Sequence, residues 1–88
     1  MEKSIISKDY ALFLAFLKKS RQDAGVTQVQ LAKKLKVTQS FLSKVERGER
    51  RIDVVELRRW VRALGLPLAD FVTEMEKYFK ENHRLLKK

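Results

Sequence analysis

The 88-residue chain has no cysteine, one histidine, one proline and three glycines. Without cysteine there is no disulfide, no thiolate metal site and no thiol catalysis, and such a composition suits the reducing cytoplasm. The lone histidine, His83, lies in a Lys-rich C-terminal stretch, so a Ser-His-Asp triad or a His-based metal site has little to draw on. It reads as a solvent-exposed side chain. No Gly-rich phosphate loop or dinucleotide fingerprint occurs. The longest apolar run, Tyr10 to Leu17, falls far short of the ~20 residues that span a bilayer. The opening Met1-Glu2-Lys3-Ser4 is too polar for a secretory leader. These absences predict a soluble cytoplasmic protein that is not an enzyme, uses no cofactor or metal, and stays off membranes. Scarce Gly and Pro leave little room for long loops, and the length allows one core, hence a single domain over 1–88.

What the chain does have is positive charge. Its net charge is +9, a balance that favours anionic partners such as nucleic acid or acidic lipid. The distribution is uneven: residues 27–51 carry seven basic and two acidic side chains, so +5 of the +9 falls there.

Apolar spacing predicts five helices and no strand, an all-α compact five-helix bundle. The first runs from about Lys8 to Asp23 behind Ser7 as N-cap, with Phe13, Phe16 and Leu17 on one face, and stops at Ala24-Gly25. The second runs from Thr27 to about Leu35, opening on a Thr27–Gln30 capping box and burying Leu31, Ala32 and Leu35. The third runs from Thr38 to about Arg47, burying Phe41, Leu42 and Val45, with Gly48 as its stop. The fourth opens on an Asp53–Glu56 capping box and ends at Gly65, with Leu57, Trp60, Val61 and Leu64 as its core stripe. The fifth follows Pro67 and sets Leu68, Phe71, Val72, Met75 and Phe79 on one face, ending near Lys80 or continuing through Leu85-Leu86. Glu76–Lys80 and Glu81–Arg84 have the spacing of helix-surface ion pairs. Trp60 needs no ligand to explain it, and Lys33 and Lys34 read as ordinary surface.

The second and third helices both begin Thr-Gln, at Thr27-Gln28 and Thr38-Gln39, with only a tight turn between them. If Phe41, Leu42 and Val45 face the core, then Gln39, Ser40, Ser43 and Lys44 face outward, and Arg47 extends that side. These are the side chains a major-groove reader needs. Gln pairs bidentately with adenine N6 and N7, Lys donates to guanine O6 and N7, and Ser does either.

The pattern Thr27-Gln28-x-x-Leu31-Ala32-x-x-Leu35-x-Val37-Thr38-Gln39-x-x-x-Ser43-x-x-Glu46-x-Gly48 resembles the helix-turn-helix of the Cro and lambda-repressor (XRE-type) class of bacterial and phage regulators. The likeness extends from about residue 12 to 75, with the motif itself at about 27–47. It implies a lambda repressor-like fold with helices 2 and 3 as the helix-turn-helix, and double-stranded DNA as partner. Carried onto this chain, it implies base contacts from Gln39, Ser40 and Lys44, with Ser43 in a secondary role. It implies phosphate contacts from Gln28, Thr38, Arg47, Arg50 and Arg51, and a structural ion pair between Arg21 and Glu46. Ala32 matches the small residue at the junction of the two helices. Lys36 departs from the family, which often has Gly at that turn, at a cost on the order of 1 kcal/mol.

The expected function is therefore a sequence-specific transcriptional regulator, a prokaryotic or phage repressor reading an operator. Homodimerisation is expected, with the last helix (Tyr78, Phe79, Leu85, Leu86) and the tail at about 81–88 as available surface. Two alternatives remain at this stage. One is an antitoxin of the same fold with a toxin partner, and the other is a protein-interaction adaptor that has lost DNA binding.

Overall fold

A computed structural model describes the backbone of residues 7–86 and the side chains of residues 7–82. Among the described residues there are five helices and no strand. They are α1 (Lys8–Asp23), α2 (Gln28–Leu35), α3 (Gln39–Glu46), α4 (Val54–Ala63) and α5 (Leu68–Leu86).

The first four helices begin in the same way. A side-chain oxygen of Ser7, Thr27, Thr38 or Asp53 accepts from the amide of Tyr10, Gln30, Phe41 or Glu56, at 3.0, 3.1, 3.0 and 2.7 Å respectively. At Thr27/Gln30 and Asp53/Glu56 the box is complete, because the Gln30 and Glu56 side chains accept from the cap amides at 2.9 and 3.0 Å. Each such cap contributes about 1 kcal/mol by satisfying amides that have no partner within the helix.

These four helices also end alike. The amides of Val26, Val37, Glu49 and Leu66 reach back to the carbonyls of Arg21, Ala32, Lys44 and Val61, at 3.2, 3.0, 2.9 and 2.9 Å. Each closure follows a residue at positive φ: Gly25, Lys36, Gly48 and Gly65. All three glycines thus serve helix ends, and the fourth end is turned by Lys36 at φ 60°, ψ 43°. At Gly25 and Gly65 an added Cβ would meet nothing within 4 Å. The left-handed backbone, not lack of space, is what favours Gly there.

α2 packs between α3 and α4, while α5 bridges α4 and α1, and α1 returns to α3. Every helix contributes to one core, in which Leu17, Leu31, Leu42, Val45, Trp60, Val61 and Phe71 are the most deeply buried. Phe16 joins α1 to α5 by lying 5.1 Å from the ring centroids of both Phe71 and Tyr78. The Trp60 indole N–H is buried without an acceptor among the described residues. Ring volume is therefore what suits Trp to that position.

Several expectations need correction. Val72 is exposed, because α5 turns its Phe71 side inward and leaves the neighbouring stripe open. Phe41 is only half-buried, serving as a platform described below. Of the two ends open for α5, near Lys80 or through Leu85-Leu86, the structure has the longer, and the helix runs to Leu86. On its surface Lys77 pairs with Glu74 at 3.4 Å, whereas among the described residues Glu76 and Lys80 form no ion pair. Tyr78 packs against Phe16 within the chain. The side chains of His83, Arg84, Leu85 and Leu86 lie outside the described residues.

Candidate nucleic-acid interface

Thr38 starts α3 immediately after the Lys36 turn, so Gln39 and Ser40 occupy its first, outward-facing turn. With Leu42 and Val45 fully buried, Gln39, Ser40, Lys44 and Arg47 are all exposed, and Ser43 is half-buried. Among the described residues Lys44 has no ion-pair partner.

Beneath this face is a buried charge pair. Arg21 of α1 donates from Nε and Nη2 to the two carboxylate oxygens of Glu46, at 2.7 and 3.1 Å, and from Nη1 to the Val26 carbonyl at 2.9 Å. Its side chain is 8% exposed and that of Glu46 is 3% exposed. All three groups on the guanidinium fork are engaged, which is the condition for tolerating a charge away from water. The pair fastens the end of α3 to α1 and to the start of the α2 segment.

Glu46 also receives Gln28. The Gln28 amide Nε2 donates to Glu46 Oε1 at 3.0 Å, and the Gln28 carbonyl Oε1 accepts from Gln39 Nε2 across a long 3.4 Å contact. An ionised carboxylate only accepts hydrogen bonds, so Gln28 must turn its NH₂ inward and its C=O outward. That in turn fixes the Gln39 amide: one N–H is used on Gln28, and the other N–H and the Oε1 have no partner among the described residues. A free donor beside a free acceptor is the pattern complementary to the major-groove edge of adenine.

The stretch after α3 carries the arginines, and each is held within the protein. Arg47 donates to Ser43 Oγ and, from Nε at 2.8 Å, to Glu49. That hydrogen bond and the charge behind it hold the Glu49 carboxyl below the usual carboxylate range and raise Arg47 in turn. The Arg50 guanidinium lies 4.6 Å from the Phe41 ring centroid and donates to Glu56 at 3.3 Å. Arg51 lies 4.0 Å from the centre of the Tyr10 ring. Cations stacked on aromatic faces are ordered but remain exposed.

Sequence reasoning did not find Tyr10, Phe41 and Glu56 as the supports of these arginines. Tyr10 also accepts from the Ile52 amide at 3.3 Å, a contact spanning 42 residues. No local pattern signals such a pairing. Glu56 was legible only as a helix cap.

Two short capped helices, a tight turn and an exposed polar face on the second define a helix-turn-helix unit. The chain matches the helix-turn-helix family over residues 17–71. Among solved structures it is similar to an XRE-family-like protein from Pseudomonas syringae pv. tomato str. DC3000, at 38% identity and a TM-score of 0.72, over 78% of this chain and 84% of that one. It is also similar, at 30% identity and a TM-score of 0.75, to the clp gene regulator ClgR from Corynebacterium glutamicum, over 90% of this chain and 83% of that one. No protein of curated function matches the chain. The chain belongs to the XRE-type helix-turn-helix family and is a DNA-binding transcription regulator. Among the described residues no helix is long and apolar enough to cross a membrane.

Proposed function

We propose that this regulator is a repressor that reads a double-stranded operator through the major groove, with Gln39 as its principal base reader and adenine as the base. The support is the chain of contacts from Glu46 through Gln28, which leaves the Gln39 amide one free donor and one free acceptor. Ser40 and Lys44 flank Gln39 on the same exposed face and read neighbouring base edges, with Ser43 secondary. Thr38, Arg47, Arg50 and Arg51 hold phosphates on either side and set the register of α3 in the groove, whereas Gln28, expected from the resemblance as a phosphate contact, turns its NH₂ inward to Glu46 and serves to position Gln39. One recognition helix reads only a few base pairs, so the working form is a homodimer on half-sites roughly 34 Å apart. The side of α5 marked by exposed Val72, with half-buried Met75 and Phe79 beside it, is the surface offered for self-association.

The test is selection from a duplex DNA library at several salt concentrations with wild type and Gln39→Ala. Wild type should enrich one motif, and the variant should relax it at one position, where discrimination falls by about 1–3 kcal/mol. No enriched motif at any salt would sink the reading.

A further inference from the structure

Seven arginines have described side chains, and four of them are engaged: Arg21 with Glu46, Arg47 with Glu49, Arg50 with Phe41 and Glu56, and Arg51 with Tyr10. The other three are Arg58, Arg59 and Arg62. They are exposed and, among the described residues, have neither an acidic partner nor an aromatic platform. All three lie on the ten-residue helix α4, on the side opposite Leu57, Trp60 and Val61. Lys34 of α2 adds a fourth cation by donating to the Ala63 carbonyl at 3.3 Å, beside Arg59 and Arg62. The only acidic side chain within α4, Glu56, is turned away to cap the helix and hold Arg50. Uncompensated like charges at i and i+4 oppose helix formation, so this face works against folding rather than for it.

We propose that the outer face of α4 is a second phosphate-binding surface, one that holds the backbone of a second segment of duplex DNA while α3 occupies the first. The inference rests on the DNA-binding reading of α3. α3 and α4 pack on different sides of α2, the first where Gln28 meets Glu46 and the second where Lys34 meets Ala63. A duplex seated against Gln39 therefore leaves the α4 arginines open. A second copy of the chain does not suit this face, because a two-fold contact would set three arginines against the same three. A phosphate backbone does: it presents a negative charge about every 1.7 Å along the duplex, and guanidinium forks match phosphate oxygens.

The test immobilises a short duplex carrying the selected motif, saturates it with full-length protein and adds a labelled duplex lacking the motif. Wild type should capture the second duplex in a strongly salt-dependent manner. The triple variant R58Q/R59Q/R62Q should lose that capture by about tenfold or more, while its affinity for the short motif duplex changes less than about twofold. Its thermal melt should match or exceed that of wild type, because the changes lie on an exposed, self-repelling face. The proposal is overturned if wild type captures no second duplex, or if the variant captures as much as wild type. It is also overturned if the variant loses motif binding in the same proportion, which would place the three arginines in the operator interface. Absence of binding to the motif duplex itself would instead count against the α3 reading, and the library selection detects that separately.

Discussion

In a Glu46→Ala variant the Arg21 guanidinium loses both carboxylate contacts, at 2.7 and 3.1 Å, and keeps only the Val26 carbonyl at 2.9 Å. Its side chain is 8% exposed, so little water reaches the stranded charge. Breaking a buried pair from one side costs about 3–5 kcal/mol. A domain of 88 residues has roughly 4–13 kcal/mol to lose in total. At about 4–8 °C per kcal/mol, the melting temperature should fall by at least about 12 °C. The double variant Arg21→Met/Glu46→Leu strands no charge and fills similar volume, so it should be more stable than Glu46→Ala alone. Urea unfolding followed by the fluorescence of Trp60 measures all three proteins. A loss under about 1 kcal/mol for Glu46→Ala, or a double variant no more stable than Glu46→Ala, would refute the reasoning. The double variant also separates folding from reading. It keeps the fold but deprives Gln28 of its acceptor, so discrimination at the Gln39 position should weaken in a stable protein.

Lys36→Gly should raise stability by up to about 1 kcal/mol, since Gly adopts φ 60° freely where Lys is strained, and a thermal melt reads the gain. Glu49→Gln should tighten binding to all DNA sequences alike, because Arg47 no longer has to give up its 2.8 Å Glu49 partner to reach phosphate. The same release is expected with acid in the wild type. A lowered carboxyl pKa means the Arg47–Glu49 contact is complete above the ordinary Glu range and lost only as pH falls through the lowered value. Near neutral pH it is therefore fully formed, and a titration of non-specific DNA affinity should be flat there.

The helices were legible because their signals are local. Ser7, Thr27, Thr38 and Asp53 announce helix starts within a single turn, and three of the four helix ends are marked by Gly. The fourth end, just before Lys36, carries no Gly and was legible from the spacing of Leu31, Ala32 and Leu35 and from the Thr38 start that follows. The burial of α5 was misread because its apolar stripe is wider than the face it can cover. Phe71 fills the core while Val72, one position on, points into solvent. Apolar periodicity identifies an amphipathic helix but does not fix which edge of a broad stripe meets its neighbours. The supports of the basic stretch were invisible for another reason. Tyr10 reaches the Arg51–Ile52 segment across more than forty residues of chain, and only the assembled bundle brings them together.

The doubled Thr-Gln follows from the donor and acceptor logic of the site. Thr27 and Thr38 do the same work, each accepting an amide of its own first turn. The two glutamines differ because one lies over a buried carboxylate and the other does not. Gln28 meets Glu46, which can only accept, so its amide has a single productive orientation, and Gln39 inherits the opposite end. A glutamine alone on a helix surface rotates freely and would lose side-chain entropy on binding a base. Tied through Gln28 to an ion pair that anchors α3 to α1, Gln39 has part of that entropy already lost, which suits it to the role proposed for it. The buried charge that holds the fold together therefore also orients the Gln39 side chain on the exposed face of α3.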